Sequence, residues 1–375
     1  MDSSSLTCGR SIVRRYRRAI QSDRENQLMR VETASHAVGL FDPALADETG
    51  TQLVRRVLDQ ARHEPRWTSQ ASLPDAIRNR LVNEHRIAPL AHRLAPDTEG
   101  HSIDRKLMLT QLHLSTIARE VVGVLDAEGI DVRILKGLAT SELDYKIPSL
   151  RHTGDVDALI SRKSIDRAAR ALLTAGYTAA TPADEAADRL VNGSNLKGVV
   201  LNHESGTEVD LHYRLSRFAP HDETDALLAE PCPIRFGLLA LPAEARLVHA
   251  ASHSVLSPNP GRRLSSVADI VAIIDNTGVD WGKARRLADV LGLTGAVGAA
   301  LRAEALILNR QPHPGLEWPS PTRGHRMLIE SSRPLEPLQH ALAMSALPAD
   351  VSRSAYLSRR ISPGARARSL LRRPR

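Results

Sequence analysis

The sequence predicts an α+β fold, in which a small mixed β-sheet core is flanked by an N-terminal and a C-terminal helical region. A change of pattern along the chain predicts the fold class, and two features of the composition describe a globular protein and its core. Apolar residues recur at helical spacing across residues 36–130 and again across 242–312, whereas residues 131–241 alternate short strand-like runs with helical stretches. Hydrophobic residues make up 42% of the 375 residues and charged residues 25%, as is usual for a globular protein. Aromatic residues make up only 3%, so the core must consist of aliphatic side chains.

The N-terminal helical region is predicted over residues 36–130. Its longest amphipathic segment covers residues 105–129 and is expected to end at Gly129, since glycine commonly ends a helix. The C-terminal helical region over residues 242–312 contains several shorter helical patterns. Within it, Asp280 precedes an apolar-periodic segment and is predicted to cap a helix.

The core between them, residues 131–241, is predicted from runs of β-branched residues and from the glycines and prolines that separate the runs. In chain order, its predicted elements are a strand at 131–135, a helix at 136–146, a strand at 155–160, a helix at 161–177 and a β-hairpin at 197–215.

Both ends of the chain are basic. A loosely ordered lead is predicted over residues 1–35 and a Pro/Arg-rich tail, largely disordered toward its end, over residues 313–375. The net charge of +7 comes from the tail, because residues 351–375 contain eight arginines and no acidic residue, and the rest of the chain carries about −1. The tail is either a contact for a polyanion or a solubilising terminus.

A cytoplasmic protein with no membrane segment is expected. The two cysteines, Cys8 and Cys232, form neither a disulfide framework nor a zinc cluster. No stretch reaches the roughly 20 apolar residues that a membrane-spanning helix needs. The first residues also lack the apolar core of a signal peptide.

The segment RHTGDVDALI, residues 151–160, places two carboxylates on one strand. Because successive strand side chains point to opposite faces, Asp155 and Asp157 share a face about 6–7 Å apart. Two carboxylates so placed repel each other unless a cation or a hydrogen-bond network lies between them. Mg²⁺, a hard cation that prefers oxygen ligands, fits this pair. The other interpretation is a solvated strand end beside a turn.

A third carboxylate follows in TEVDLHYRL, residues 207–215. On this predicted strand Glu208, Asp210 and His212 share one face. If the strand lies beside the first, Asp210 joins Asp155 and Asp157, and three converging carboxylates can hold two Mg²⁺ ions about 4 Å apart. Asp210 could also accept a proton from an attacking hydroxyl. His212 is expected either to orient Asp210 or to contact an acceptor, with a structural hydrogen bond as the alternative.

Cations for phosphate binding are predicted from two positions. In RILKGL, residues 133–138, a strand is followed by Lys136 and Gly137 and then by a helix start. A helix N-terminus attracts anions, glycine allows a ligand to approach the backbone, and lysine adds a positive charge. The other interpretation of Lys136-Gly137 is a plain turn. Arg151 is the second position, either as a bidentate phosphate ligand or as an ion-pair partner of Asp155.

Other polar residues of the C-terminal region are given structural roles. Asp269 lies in an apolar helical pattern and is expected to form a structural ion pair with a basic residue such as Arg262, Arg263 or a histidine. His249 and His253 lie four residues apart on one helix face, where packing or substrate contact is favoured over zinc binding.

The ordered set of these motifs resembles the family of uncharacterised bacterial nucleotidyltransferases in the polymerase-beta-like superfamily, over roughly residues 105–310. The set consists of ILKG, the pattern Y-x-x-P-x-x-R-x-x-G-D-V-D and VDLHY, followed by a helical segment with LVHAASH, ADI and VDW. The middle pattern is carried by Tyr145, Pro148, Arg151, Gly154, Asp155 and Asp157.

The resemblance implies a nucleotidyltransferase core closed by a helical domain, and Mg²⁺-dependent transfer of a nucleotidyl group. The donor would be an NTP, ATP first among them, the acceptor a hydroxyl or phosphate, and the product pyrophosphate. Asp155, Asp157 and Asp210 would be catalytic and would hold two Mg²⁺ ions, whereas Lys136, Gly137 and Arg151 would bind the nucleotide. The acceptor is open between a small molecule, a peptide, a protein and RNA.

One departure from the superfamily keeps an alternative open. The superfamily usually has Gly-Ser in its phosphate loop, where this chain has Lys136-Gly137. The alternative is therefore a catalytically inactive module that binds nucleotide, RNA or a partner protein.

Overall fold

The computed structural model describes residues 33–62, 74–94, 100–179, 198–216, 218–257, 263–311 and 318–319. The predicted basic lead over residues 1–35, except its last three residues, therefore lies outside the described residues. The same holds for the tail over 313–375, apart from residues 318–319. Among the described helices, none combines the length and apolarity needed to cross a membrane.

The helices and strands alternate along the chain much as the sequence pattern predicts. The helices among the described residues are α1 Ala34–Gly39, α2 Glu48–Asp59, α3 Asp75–Asn79, α4 Ala88–Leu94, α5 Gly100–Ala127, α6 Lys136–Asp144, α7 Ile165–Thr174, α8 His221–Ala226, α9 Ala243–Leu256, α10 Leu264–Ala272, α11 Trp281–Val290 and α12 Thr294–Ile307. The strands are β1 Arg133–Ile134, β2 Asp155–Leu159, β3 Thr178–Ala179, β4 Gly198–Asn202, β5 Glu208–His212, β6 Cys232–Pro233 and β7 Leu239–Ala240.

The strands form one mixed sheet in the order β3-β4-β5-β2-β1-β7-β6. Strand β2 runs parallel to β5 and antiparallel to β1, and β4 and β5 form the predicted antiparallel hairpin. The predicted α+β fold with a small mixed sheet is therefore confirmed. The short strands β3, β6 and β7 were not predicted, because two residues are too few to show an alternating pattern.

Helices cover both faces of the sheet. On one face, Val156 and Ala158 of β2 and Val209 of β5 are buried against α5 and α7. On the other face, Leu159 packs with apolar residues of α9, α11 and α12. Because side chains alternate along β2, this second face is also the one that carries Asp155 and Asp157. The sheet therefore directs its carboxylates toward the C-terminal helices.

A third apolar cluster joins the two ends of the described chain. Residues of α1, α2 and α4 pack with residues of α10 and of the second half of α12, and Tyr145 and Leu150 of the core belong to the same cluster. The N-terminal helices thus support the C-terminal helices that face the sheet. The predicted domain boundaries stay a prediction.

Several local signals act as expected. Glycine in the left-handed region follows the longest helix, where Gly129 has φ of 65°, and ends the helix before β3, where Gly176 has φ of 97°. The predicted cap of α11 is confirmed, since the backbone N–H of Lys283 donates to Asp280 Oδ1 at 2.9 Å.

Gly198 is needed for the pairing of β4 with β5. It lies opposite His212 in the ladder, and a Cβ added there would collide with the carbonyl oxygen of Leu211 and lie 3.0 Å from the Cα of His212. Both neighbours are backbone atoms of a paired strand, so they cannot move aside without breaking the ladder.

We expect Gly198→Ala to lower the free energy of unfolding by about 1–3 kcal/mol, as overpacking does. The matched control is Gly123→Ala in α5, where a Cβ meets no atom within 4 Å. Because alanine is the better helix former, that change should raise the free energy of unfolding by about 0.5–1 kcal/mol. Urea unfolding of both variants measures the difference. Equal midpoints for the two would contradict the claim that close strand pairing requires glycine at position 198.

Candidate active site

A cavity of about 240 Å³ lies between the carboxylate-bearing face of the sheet and helices α9 and α10. Its lining is rich in charge. The acidic residues that line it are Asp155, Asp157, Asp210 and Asp269, and the basic residues are Arg86, Lys136, Arg151, Arg246 and Arg263. His152, His249 and His253 also line it.

The strand register brings the predicted carboxylates together. In the parallel pair β2–β5, Asp157 lies directly opposite Asp210, and Asp155 lies opposite Glu208. One ligand atom each of Asp157, Asp210 and His212 lies within 4.8 Å of the others, which makes them the one metal-compatible group among the described residues. Asp155 lines the same cavity but lies outside this group. The three predicted carboxylates thus share one cavity, and the tightest grouping contains a histidine in place of Asp155.

Asp157 is buried and doubly hydrogen-bonded. Its Oδ1 accepts from Lys136 Nζ at 2.7 Å and from His212 Nε2 at 2.8 Å. Burial by itself would raise the pKa of Asp157, but the Lys136 ammonium and the His212 ring outweigh burial and hold that pKa well below its usual range. The side chain is therefore a carboxylate at neutral pH.

His212 connects two carboxylates. Its Nε2 lies 2.8 Å from Asp157 Oδ1 and 3.0 Å from Asp210 Oδ2, and an ionised carboxylate only accepts, so Nε2 carries the proton. The side chain is fully buried and does not line the cavity. Of the roles expected for His212, this geometry favours orienting the carboxylates over contacting an acceptor.

The two aspartates of β2 have opposite pKa shifts. Burial and the nearby charge of Asp157 raise the pKa of Asp155, against the opposing charges of Lys136, Arg151 and Arg86. The charged form of Asp155 is thus destabilised first by burial and then by the Asp157 charge, and a cation bound there would stabilise it.

Lys136 reaches Asp157 because of the backbone between β1 and α6. The N–H of Leu135 donates to the carbonyl oxygen of Asp157 at 2.9 Å, which fixes the next residue beside the strand. Lys136 itself has φ of 39°, a left-handed conformation that is uncommon for a residue with a Cβ. Burial lowers the pKa of Lys136, but Asp157 and the other aspartates outweigh it, and the net pKa is raised. The lysine is thus a charged partner of Asp157.

The structure explains the glycine at position 137 by packing, whereas the sequence predicted that it lets a ligand approach the backbone. Gly137 is buried and does not line the cavity. A Cβ at this position would collide with Thr153 Cγ2 and lie 3.2 Å from Thr153 Oγ1. The glycine therefore allows α6 to pack against the segment that leads into β2.

The Arg151 side chain pairs with Asp269. Its Nε and Nη2 donate to Asp269 Oδ1 and Oδ2 at 3.1 and 2.9 Å, so the guanidinium forms a bidentate pair with Asp269. The ion pair with Asp155, one of the two roles considered for Arg151, is therefore wrong. Asp269 forms the expected structural ion pair, but with Arg151 instead of Arg263 or a histidine, and Arg262 lies outside the described residues. The hydroxyl of Tyr145 also donates to Asp269, at 3.0 Å.

Three histidine rings lie in a row from the sheet toward α10. The His212 and His249 ring centroids are 6.5 Å apart, and those of His249 and His253 are 6.1 Å apart. Burial, followed by the charge of Lys136, lowers the pKa of His249 well below its usual range, so this ring is neutral at pH 7. Neither His249 nor His253 belongs to the metal-compatible group found in the described residues.

Sequence reasoning missed Arg86 and Arg263 as cavity residues. Arg86 lies between α3 and α4, and Arg263 directly precedes α10, so neither carries a local signal for a shared site. Only the packing of the N-terminal helices on α10 brings the two together.

The donor set fits a hard divalent cation. Asp155, Asp157 and Asp210 offer carboxylate oxygens on one sheet face, and oxygen is the ligand that Mg²⁺ prefers. The cavity lining on the side of α9 and α10 contains Arg86, Arg246 and Arg263, which together are called the basic wall. A mixed sheet with acidic residues facing a basic wall is suited to an enzyme that acts on phosphate esters.

Comparison with known proteins agrees with this class. Residues 79–309 match the family described as uncharacterised nucleotidyltransferase. The chain belongs to this family, as the motifs in its sequence indicate. Comparison with curated proteins gave no match.

The Lys136–Asp157 pair predicts a pH-dependent loss of stability. At pH 7, Lys136→Met leaves a buried carboxylate without its ammonium partner, and we expect the free energy of unfolding to fall by about 3 kcal/mol. The pair's contribution is present above the ordinary carboxyl pKa of about 4 and is lost as pH falls through the lowered pKa of Asp157. The difference from wild type should therefore shrink below about pH 4.

Urea unfolding between pH 7 and pH 3 checks this expectation. The matched control is Lys163→Met, because the Lys163 side chain is exposed. Lys136→Arg keeps the charge and should recover part of the stability. A pH-independent difference between wild type and Lys136→Met would show that the ion pair is not its cause.

Proposed function

We propose that the protein transfers a nucleotidyl group from an NTP to a hydroxyl or phosphate of an acceptor, with ATP as the first candidate donor. The reaction releases pyrophosphate and depends on Mg²⁺. The observation that carries the proposal is the face formed by Asp155, Asp157 and Asp210, which opens on a cavity with a basic opposite wall. Membership of a nucleotidyltransferase family supports the same reaction class.

The proposed chemistry is an in-line displacement at the α-phosphorus. The acceptor oxygen forms a bond to this phosphorus, the bond from phosphorus to the β-phosphate oxygen breaks, and pyrophosphate leaves with that electron pair. Asp210 accepts the proton of an acceptor hydroxyl, because it lines the cavity and is held in place by His212.

Asp155 and Asp157 would hold the divalent cations together with Asp210. When bound, Mg²⁺ would lower the pKa of the acceptor hydroxyl and neutralise charge on the triphosphate. His212 holds the carboxylates of Asp157 and Asp210 in position, and Lys136 balances the buried charge of Asp157.

The acceptor is proposed only by class, as a small molecule, a peptide, a protein or RNA. The arginine-rich tail would contact it if the acceptor is a polyanion. Action in the cytoplasm, where ATP and Mg²⁺ are abundant, is part of the same proposal.

The first test follows the label of each α-labelled NTP. Purified protein is incubated with Mg²⁺ and one NTP at a time, with and without a cell extract, and pyrophosphate release is measured in parallel. We expect Mg²⁺-dependent transfer of label to an acceptor, and a fall of at least 10³-fold in Asp155→Asn/Asp157→Asn, since charge stabilisation of the transition state is removed.

The control is Asp166→Asn, a carboxylate on the exposed side of α7, which should transfer label at the wild-type rate. Nucleotide binding without transfer from any NTP would instead support the inactive binding module. Label transfer that persists in the double variant would contradict the assignment of the carboxylates.

A further inference from the structure

Two arginines from distant parts of the sequence lie side by side at the cavity. Arg86 and Arg263 both line it, and the hydrogen bond from the Leu264 N–H to His85 Nδ1, 3.4 Å long, joins the residues directly beside them. His85 is itself held by Asp42, whose Oδ2 lies 3.0 Å from His85 Nε2. The two chain segments that carry the arginines are therefore held together by buried side-chain contacts.

The other three basic side chains of the cavity already have carboxylate partners. Within the described residues, by contrast, no carboxylate lies within ion-pair distance of Arg86 or Arg263. The existing pairs are Lys136 with Asp157, Arg151 with Asp269 and Arg246 with Asp144. The cations predicted for phosphate binding, Lys136 and Arg151, are thus engaged within the protein.

The two guanidinium groups repel each other. Burial lowers the pKa of Arg263, and the charge of Arg86 lowers it further. The pKa of His152, which lines the same cavity, is lowered by burial and then by the charges of Arg86, Arg151 and Arg263. The Asp155 charge offsets part of this repulsion, since it acts on both arginines, and an anion bound between the two guanidinium groups would offset more of it.

The surroundings also suit an anion. Ser265 and Ser266, in the first turn of α10, line the cavity beside Arg263, and Ser265 offers a hydroxyl donor, whereas the Ser266 hydroxyl lies 3.4 Å from His253 Nδ1. No side chain caps the start of this helix. Asp155 lies close enough for its charge to act on Arg263, so an anion held by the arginines would lie next to the candidate cation site.

We propose that Arg86 and Arg263 bind the triphosphate of the donor nucleotide, beyond the phosphate that is transferred. The proposal rests on the function proposed above. A guanidinium presents a planar fork of donors that matches phosphate oxygens, and two forks suit a polyphosphate. The N-terminal and C-terminal helical regions each contribute one arginine, so both are parts of the nucleotide site.

The test measures binding of inorganic tripolyphosphate, each NTP and each NMP to the full chain with Mg²⁺ by calorimetry. For Arg86→Gln and Arg263→Gln we expect the Kd for tripolyphosphate and for the preferred NTP to rise by about tenfold or more, as for loss of a charge-assisted hydrogen bond. The Kd for the NMP should change by less than about threefold. Arg86→Lys and Arg263→Lys should give intermediate values.

The control is Arg56→Gln, an exposed arginine of α2 that does not line the cavity, which should bind as wild type. Each variant is also unfolded in urea, and an unchanged midpoint shows that a weaker Kd is not caused by loss of the fold.

Four outcomes decide the proposal. Weaker binding of tripolyphosphate and NTP in both variants supports the proposal, provided that the wild-type protein transfers the nucleotidyl group. Wild-type binding in both variants, with transfer that still requires Asp155 and Asp157, overturns the arginine assignment and leaves the function standing. A rise in KM for the acceptor alone assigns the arginines to an acceptor phosphate and also overturns it. Weaker tripolyphosphate binding in the variants, together with a wild-type protein that transfers no nucleotidyl group from any NTP, refutes both the proposed function and the assignment of the arginines to the donor.

Discussion

The site depends on keeping a charge on Asp157 inside the protein. A carboxylate that is 4% exposed would normally be neutral, and the protein keeps it ionised with one ammonium and one imidazole N–H. Both partners come from neighbouring strands or their ends. Lys136 follows β1, and His212 is the last residue of β5. The sheet therefore places both the carboxylate and the groups that stabilise its charge. The charge distribution in the cavity thus depends on the order of the strands.

The backbone details around this carboxylate follow from the same constraint. The Leu135 N–H bonds the Asp157 carbonyl, and the left-handed Lys136 turns the chain into α6. On the other side, Gly198 allows β4 to lie close to the backbone at His212. Each of these features costs conformational freedom locally, and each fixes a group that contacts or supports Asp157.

The sequence predicted the part of the site that lies within strands. The two-residue alternation of strand side chains is enough to place Asp155 with Asp157 and Asp210 with His212. The turn sequence at residues 204–206, Glu-Ser-Gly, is enough to predict the hairpin. The partner of Arg151 could not be predicted, because Asp269 reaches it only through the packing of α10 on the core. The same holds for Arg86 and Arg263, and for Gly137, whose close neighbour Thr153 has no local relation to it. Contacts between helices depend on side-chain volume and crossing geometry, which a one-dimensional pattern does not contain.

The spread of the cavity residues along the chain has a consequence for how the protein is made. The Arg151–Asp269 pair joins residues 118 positions apart, and the His85–Leu264 hydrogen bond joins residues 179 positions apart. Contacts of such large sequence separation form late, since long loops must close first. During synthesis the sheet can assemble while α10 is still inside the ribosome, but the basic wall cannot. A nascent chain would therefore expose the acidic face of its sheet before the residues that hold a nucleotide were in place. The cavity would become complete only when the last helices had folded.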